Sequence, residues 1–312
     1  MNNAYHVPVL HKEALDALNV KRDGVYVDCT LGGGGHSALI LERLEGTGLL
    51  VGIDRDDDAL AESSDRLAAH SNKRLLHGNF HDVKAILAGQ GIAKVDGILA
   101  DLGVSSHQLD TAERGFSYHG DAPLDMRMDA SQGVCAAELV NTLSEAELAR
   151  IFEKYGEERW SQRVAKFIAL QRDKNPITTT GELVGIIDDA IPKAVRRRDS
   201  AHPARRVFQA LRIAVNDELS PLENALRDCV DCLAPRGRLA VITFHSLEDR
   251  IVKNLFARMR RPCECPPSFP VCICGRRPII GDSFRHAVPP SESEVRENSR
   301  SAGAKLRVAE KL

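Results

Sequence analysis

Four consecutive glycines, Gly32–Gly35, stand between a short apolar run and an apolar helical pattern near the start of the chain. Glycine adopts positive φ angles without steric cost and lets a backbone approach a ligand closely. Asp54 ends the next apolar run about twenty positions later, the spacing at which a carboxylate reaches the ribose hydroxyls of a nucleotide. The pattern therefore predicts a strand–turn–helix unit that binds a nucleotide-like cofactor.

Alternating apolar and amphipathic segments predict the fold of residues 25–101. Such alternation implies right-handed crossovers and a parallel sheet, with the polar residues that end successive strands at one edge. The predicted strands are Val25–Asp28, Leu49–Asp54, Arg74–His77 and Val95–Asp101, and the predicted helices are Val9–Leu18, Ser37–Leu44, Asp57–Ala69 and His81–Leu87.

The alternation stops after residue 110, and no buried strand is predicted before residue 204. Ser144 and Glu147 form a capping-box signature at the start of one helix in this region. We therefore predict a helical insertion over residues 111–203 that divides an α/β domain into residues 1–110 and 204–312. The other predicted elements are helices at Trp160–Leu170, Thr180–Ala190, Val207–Leu219, Pro221–Leu233 and Leu247–Met259, a strand at Arg238–Phe244 and an edge strand at Leu306–Ala309.

The composition is that of an ordinary globular protein, with 43% hydrophobic and 28% charged residues in a chain of 312. We find no apolar run long enough to span a membrane and no signal-peptide pattern, so a soluble cytoplasmic protein is predicted. A net charge of −2 gives no overall attraction to nucleic acid, but local arginine clusters favour a polyanion-binding surface. These clusters are Arg196–Arg198, Arg205–Arg206, Arg258–Arg261 and Arg276–Arg277.

Two cofactors fit the glycine turn. Residues 33–38 match the G-x-G-x-x-A pattern of a nicotinamide dinucleotide site, although four glycines in a row satisfy many patterns. S-adenosylmethionine also needs an apolar wall for its adenine, which Phe80 and Asn79 provide after the third strand. It further needs a polar strand end near its methyl group, which Asp101 provides. A dinucleotide uses only the glycine turn and Asp54, so the full set of strand ends favours S-adenosylmethionine.

Two segments are candidates for the chemistry at the transferred methyl group. Asp101 opens the segment where an acceptor enters such folds, and it either accepts a hydrogen bond from an acceptor amine or contacts the cofactor alone. His245 and Ser246 follow the fifth predicted strand at the same sheet edge. His245 is a candidate to take the proton released on amine methylation. The alternative is that Ser246 caps the next helix and His245 is structural.

Four of the eight cysteines lie close together in a loop rich in proline, as Cys263-Glu-Cys265 and Cys272-Ile-Cys274. Four thiolates form a tetrahedral zinc site in many proteins, but the spacing of one residue is tighter than the usual two to four. The loop either binds zinc or holds four reduced thiols, and the sequence does not assign a metal ligand.

Several longer motifs, distributed from about His6 to Ala309, are more specific than the glycine turn. They are Asp28–Ser37, Asp96–Ser106, Gln108–Asp110, Glu113–Ser117, Pro123–Asp129, Tyr155–Arg159, His202–Pro203, Phe208–Ile213 and Phe244–Lys253. In these segments the chain resembles the RsmH (MraW) family of bacterial 16S rRNA cytosine-N4 methyltransferases. Ser299 departs from the family, which often has proline at that position.

The resemblance implies a class I S-adenosylmethionine-dependent methyltransferase, a Rossmann-like fold with a mostly parallel sheet, interrupted by a helical substrate-recognition insertion. It implies methylation of N4 of a decoding-centre cytidine, cytidine 1402 in the usual rRNA numbering, within the small ribosomal subunit. The catalytic candidates remain Asp101, His245 and Ser246. The cofactor contacts that the motifs imply are Gly34, Gly35, His36, Asp54, Phe80, Asp101 and Gln108.

Two other functions compete with an RNA methyltransferase. One is a nicotinamide-dependent oxidoreductase, which would bind NAD, whereas a methyltransferase would bind S-adenosylmethionine and not NAD. The other is a non-catalytic RNA-binding or ribosome-assembly factor, which would not transfer a methyl group to small-subunit rRNA. The sequence does not choose between a monomer and a homodimer.

Overall fold

The computed structural model describes residues 8–197, 202–266 and 268–312. His6, Arg198 and Pro267, which entered the sequence analysis, lie outside these ranges. The chain divides into two compact units, one made of Met1–Gly103 with Leu219–Leu312 and the other of Val104–Glu218.

The first unit is built on one six-stranded sheet in the order β3-β2-β1-β4-β5-β6. The first five strands pair in parallel and β6 pairs antiparallel with β5, as expected for an edge strand at the end of the chain. This sheet confirms the predicted α/β class with mostly parallel strands. The strands are β1 Val25–Asp28, β2 Leu49–Asp54, β3 Lys73–His77, β4 Val95–Asp101, β5 Leu233–Thr243 and β6 Lys305–Glu310.

Helices flank the sheet in the first unit and make up most of the second. In the first unit they are α1 His11–Leu18, α2 Gly35–Leu44, α3 Asp57–Arg66, α4 Val83–Gly89, α12 Leu222–Cys232, α13 Ser246–Arg260 and α14 Glu292–Glu297. In the second unit they are α5 Ser106–Asp110, α6 Ala136–Thr142, α7 Glu145–Gly156, α8 Ser161–Arg172, α9 Thr180–Ala190, α10 Lys193–Arg196 and α11 Ala204–Asn216. Among the described residues, no helix is both long and apolar enough to cross a bilayer.

The sheet separates two apolar layers because successive side chains of a strand point to opposite faces. Val27 of β1 belongs to one layer and Tyr26 to the other, and Ile98 and Leu99 of β4 divide in the same way. Strands buried on both faces are typical of parallel sheets covered by helices. The burial of both faces fixes the register and so places the strand ends at one edge.

The second unit has its own core, formed by one face each of α7, α8, α9 and α11. The predicted capping box is present at α7, where Ser144 Oγ accepts from the backbone N–H of Glu147. Gly156 lets α7 and α11 approach closely, since a Cβ there would lie 2.5 Å from the backbone oxygen of Arg206.

Several predicted bounds differ from the structure. The second unit spans Val104–Glu218 rather than the predicted 111–203, since α11 packs in its core. Helix α3 ends at Arg66, short of the predicted Ala69. The predicted helix over His81–Leu87 is a 3₁₀ turn at Phe80–Asp82 followed by α4. The predicted bounds of β1, β2, β4 and α9 are confirmed, and the other predicted helices and strands are present with shifted ends. Helices α5, α6, α10 and α14 were not predicted.

Candidate active site

The glycine turn joins β1 to α2 and is shaped by the chain around it. Gly34 is the N-cap of α2 and has φ 74°, a left-handed conformation that favours glycine. A Cβ at Gly33 would lie 2.7 Å from Oε1 of Glu62, and one at Gly35 would lie 2.6 Å from Cγ of Pro8. Gly34 provides no side-chain cap, so the first N–H groups of α2 are not satisfied by a capping side chain.

Asp54, at the end of β2, holds two turns in place. Its Oδ2 accepts from the backbone N–H of Gly32 at 2.8 Å, and its Oδ1 accepts from that of Asp56 at 3.0 Å. Burial raises the pKa of Asp54, and these two hydrogen bonds oppose the rise. A carboxylate oxygen has more than one acceptor position, so both oxygens retain capacity for the hydroxyls of a ligand.

Asp28, His36 and Asp101 form a buried charged cluster between the ends of β1 and β4. Nε2 of His36 lies 3.6 Å from Oδ2 of Asp101, with side-chain exposures of 7% and 24%. Ser37 Oγ donates to Oδ2 of Asp28 at 2.7 Å, and Thr30 Oγ1 accepts from the backbone N–H of Asp101 at 2.7 Å. Asp28, His36 and Asp101 were predicted separately, and the two hydroxyls that hold Asp28 and Asp101, those of Ser37 and Thr30, were not predicted.

The cluster leaves polar atoms without hydrogen-bond partners. Within the described ranges, both ring nitrogens of His36 and Oδ1 of Asp101 are buried and lack a hydrogen bond. Such groups are rare in folded proteins and are common where a ligand or a reacting group completes the site. The strand ends therefore hold an acceptor, Oδ1 of Asp101, that the protein itself does not use.

Opposing effects set the protonation of this cluster. Burial alone would lower the pKa of His36, but the carboxylates of Asp101 and Asp28 outweigh it, and the net pKa is raised above 6.5. Burial also raises the pKa of Asp28, which the positive charge of His36 and the hydrogen bond from Ser37 oppose. His36 is thus biased toward its charged form between two carboxyl groups.

Asn79 and Phe80 follow β3, where the sequence predicted an adenine wall. Asn79 Oδ1 accepts from the backbone N–H of His81 and so caps the 3₁₀ turn that starts at Phe80. The Phe80 ring is partly buried against the core and contacts the His81 ring edge-on, with centroids 4.6 Å apart. An apolar ring is therefore fixed at this strand end.

Gln108 lies in the second unit, in α5. Its Oε1 accepts from the backbone N–H of Ser105, and Ser105 Oγ accepts from the backbone N–H of Gln108, which together form a capping box. The Gln108 side chain is buried. Ser105 is therefore the N-cap of α5 and Gln108 the third helical residue of its capping box, and the predicted cofactor contact of Gln108 stays a prediction.

His245, rather than Ser246, is the N-cap of α13, so the capping alternative of the sequence analysis named the wrong residue. Nδ1 of His245 accepts from the backbone N–H of Glu248 at 3.4 Å, and its Nε2 lies 3.1 Å from Oε1 of Glu248. Glu248 Oε2 accepts in turn from the backbone N–H of Phe244. Both nitrogens of His245 thus face Glu248, and the catalytic roles of His245 and Ser246 stay predictions.

Each arginine cluster has at least one member that is engaged by an acidic side chain. Neutralised arginines contribute less to a polyanion-binding surface than the sequence counts indicate. The pairs are Arg196 with Asp188, Arg206 with Glu158, Arg258 with Glu223 and Arg276 with Glu264.

Comparison with known proteins decides among the candidate functions. The model of the MraW methylase family matches residues 3–312. The chain belongs to the MraW methylase family. A Symbiobacterium thermophilum protein named ribosomal RNA small subunit methyltransferase H is 53% identical over 309 residues, covering 99% of this chain and 97% of its own length.

Two further relatives carry the same name. The Clostridium botulinum protein (strain Loch Maree) is 53% identical over 307 residues, covering 98% of this chain and 99% of its own length. The protein from Heliobacterium modesticaldum is 53% identical over 310 residues, covering 99% of each chain.

Membership of the MraW family makes this chain a methyltransferase that uses S-adenosylmethionine, as predicted. The nicotinamide oxidoreductase and the non-catalytic factor are set aside. The residues present fit the cofactor by their chemistry: among the described residues, a carboxylate oxygen without a hydrogen bond ends β4, a second carboxylate ends β2 and an aromatic ring follows β3.

Proposed function

We propose that this MraW-family chain methylates the exocyclic N4 of a cytidine of 16S rRNA, cytidine 1402 in the usual numbering, within the small ribosomal subunit. Relatives named rRNA small subunit methyltransferase H support the substrate class, since 53% identity extends over nearly the whole chain. The observation that carries the choice of an amine acceptor is Oδ1 of Asp101, a buried acceptor without a hydrogen bond in the described part of the chain.

The transfer would form a bond between N4 and the methyl carbon as the bond from sulfur to that carbon breaks, and the proton that N4 loses would pass to a general base, for which His245 is the candidate. S-adenosylmethionine supplies an electrophilic methyl group on a positively charged sulfur. The lone pair of N4 is delocalised into the base, so an acceptor that hydrogen-bonds its N–H favours attack. We assign this role to Oδ1 of Asp101, while charged His36 stabilises the carboxylate from the side of Oδ2.

Two further side chains, and the backbone at Gly34, are proposed to hold the cofactor. Asp54 accepts hydroxyl hydrogen bonds with the acceptor capacity that its two backbone contacts leave. Phe80 presents an apolar ring to the adenine, and Gly34 leaves the start of α2 open to the carboxylate of the methionine moiety. Gly35, His36 and Gln108 complete the proposed set.

We propose that the protein recognises its RNA by the shape of a ribosomal particle and not by overall charge. The net charge is −2 and a member of each arginine cluster is paired with an acid, so weak binding to unrelated naked RNA is expected. Strong binding to unrelated RNA at physiological salt would count against this mode.

Calorimetric titration tests the cofactor site. The protein should bind S-adenosylmethionine and not NAD. Asp54→Asn should weaken binding by about 10- to 100-fold, because a hydrogen bond to a charged group contributes roughly 1.5–3 kcal/mol. Asp57→Asn is the control, since Asp57 is exposed in the first turn of α3. Equal affinities of the two variants would remove Asp54 from the site.

Methyl transfer from labelled S-adenosylmethionine to small ribosomal subunits tests the reaction, with nucleoside mass mapping to locate the product. Asp101→Asn should reduce transfer by roughly 100-fold or more, within the range that general acid–base groups contribute. Asp57→Asn should transfer normally. A methyl group on a carbon or ribose oxygen, or undiminished transfer by Asp101→Asn, would overturn the proposal.

A further inference from the structure

The loop that follows α13, before α14, brings four cysteine sulfurs together. Sγ of Cys272 lies 3.4 Å from that of Cys263, 3.4 Å from that of Cys274 and 3.8 Å from that of Cys265. All four sulfur atoms lie within 4.8 Å of one another. Two pairs that are separated by six residues in sequence therefore converge on one point.

These distances match a tetrahedron of thiolates around one ion. A zinc–sulfur bond is about 2.3 Å long, so the sulfur atoms of a tetrahedral site lie about 3.8 Å apart. A disulfide bond needs about 2.05 Å, and all four cysteines are free. An iron–sulfur cluster would hold its four cysteine sulfurs farther apart, because the atoms of the cluster lie between them.

The loop has little apolar packing to keep it in this shape. Its ends are anchored, since the backbone N–H of Ile279 donates to the oxygen of Met259 and Ile280 is buried. Between these ends, however, the large apolar side chains of Phe269, Val271 and Ile273 are 45%, 70% and 74% exposed. Small segments that lack a core of their own are commonly held by a metal or by disulfides.

The charge around the loop suits a tetrathiolate site. Zinc bound by four thiolates has a net charge of −2. Residues 260–277 contain four arginines and one glutamate, a net charge of +3. Arg276 pairs with Glu264 next to Cys263 and Cys265, so cationic and acidic groups already stand beside the sulfur atoms.

We propose that one zinc ion binds here through the thiolates of Cys263, Cys265, Cys272 and Cys274. Binding replaces four S–H bonds with four zinc–sulfur bonds and releases up to four protons, with no change of oxidation state. All four positions are filled by protein, so the ion is structural, as in closed zinc sites. The site is independent of the proposed methyl transfer, and its test does not use activity.

Elemental analysis of the full-length protein, purified without chelators, should give about one equivalent of zinc. Cys272→Ser should lose it, because the variant lacks one of the four thiolate ligands. Cys135→Ser is the matched control, since Cys135 is a partly exposed thiol outside the loop, and it should keep the zinc. Iron in place of zinc, or a folded parent protein without metal, would overturn the proposal.

Two measurements on the parent protein serve if the cysteine variants do not fold. Replacement of zinc by Co²⁺ should give the visible absorption of a tetrahedral thiolate site, which is absent without the four sulfurs. A strong chelator should also expose four thiols to a thiol reagent, while circular dichroism shows that the sheet is retained. Four thiols that react equally without the chelator, or a mass lower by two hydrogens for each disulfide, would count against zinc.

Discussion

Nε2 of His36 lies 3.6 Å from Oδ2 of Asp101, so the first turn of the helix after β1 is linked by charge to the end of β4. Asp101 is also linked to the β1 turn through the hydroxyl of Thr30. Asp101, whose carboxylate is proposed to meet the acceptor amine, is therefore held through its side chain by His36 and through its backbone by Thr30, both in the segment proposed to hold the methyl donor.

The His36–Asp101 pair predicts a measurable titration. Asp101 raises the pKa of His36 against the effect of burial, so NMR of the imidazole nitrogens should show titration above pH 6.5. Asp101→Asn should lower that pKa, whereas Asp57→Asn should not change it. The stability that His36 contributes is complete below pH 6.5 and is lost as pH rises through its folded-state pKa. A His36 pKa unaffected by Asp101→Asn would contradict the pairing.

Gly34→Ala tests the geometry of the glycine turn against Gly46→Ala. Both glycines have positive φ angles, but a Cβ at Gly34 would lie 3.1 Å from Cβ of Ser63, whereas Gly46 has nothing within 4 Å. Backbone strain should cost each variant about 1–2 kcal/mol, and crowding should add to the cost at Gly34 only. Denaturant unfolding measures the difference, and equal losses would mean that the turn tolerates a side chain.

Asp249 of α13 should stabilise the edge of the sheet. Its carboxylate accepts from Arg307 Nε at 2.6 Å and from Lys305 Nζ at 3.1 Å, both on β6. Asp249→Asn should lower the free energy of unfolding by about 2 kcal/mol at neutral pH. Asp282→Asn is the control, because the Asp282–Arg285 pair is exposed and such pairs contribute little.

The pH dependence of the Asp249 effect has a definite sign. Burial would raise the pKa of Asp249, but Arg307 and Lys305 outweigh it and lower the pKa below 3.8. The stabilisation is therefore present above the unfolded-state pKa and is lost as pH falls through the folded-state pKa. The gap between parent and Asp249→Asn should narrow below about pH 4; a constant gap would show that packing, not charge, is responsible.

His245→Asn separates the two roles that His245 is assigned. Asparagine is a strong N-cap residue, so the variant should keep α13 and unfold close to the parent, whereas His245→Ala should lose about 1 kcal/mol. The rate of methyl transfer by His245→Asn then tests whether His245 takes part in the reaction. A large fall in transfer by the stable asparagine variant would support the predicted proton acceptor. Normal transfer would restrict His245 to its contacts with Glu248.

The strand ends were predictable because each polar residue follows an apolar run, and the structure places Asp28, Asp54 and Asp101 at the ends of β1, β2 and β4. The contact between His36 and Asp101 was not predictable, since it depends on the register of β1 against β4, two strands about seventy residues apart. Local periodicity predicted the helix α11 but not the core that it joins, because an amphipathic face does not specify its partner.

The positions of the four cysteine sulfurs were also not predictable from local sequence. A spacing of one residue within each cysteine pair is tighter than in most zinc sites, so the sequence left a metal site open. The structure shows that the two pairs meet, since the sulfurs of Cys263 and Cys272 lie 3.4 Å apart. Folding of the loop, rather than the spacing within each pair, determines the distances between sulfur atoms.

The interrupted sheet has a consequence for synthesis of the chain on the ribosome. Strand β4 ends at Asp101 and its partner β5 begins at Leu233, so 131 residues are translated between them. At about 5–20 residues per second, the backbone edge of β4 waits roughly 7–26 seconds for its pairing strand. A nascent chain with such an unpaired edge is exposed to wrong strand pairing until β5 has been synthesised.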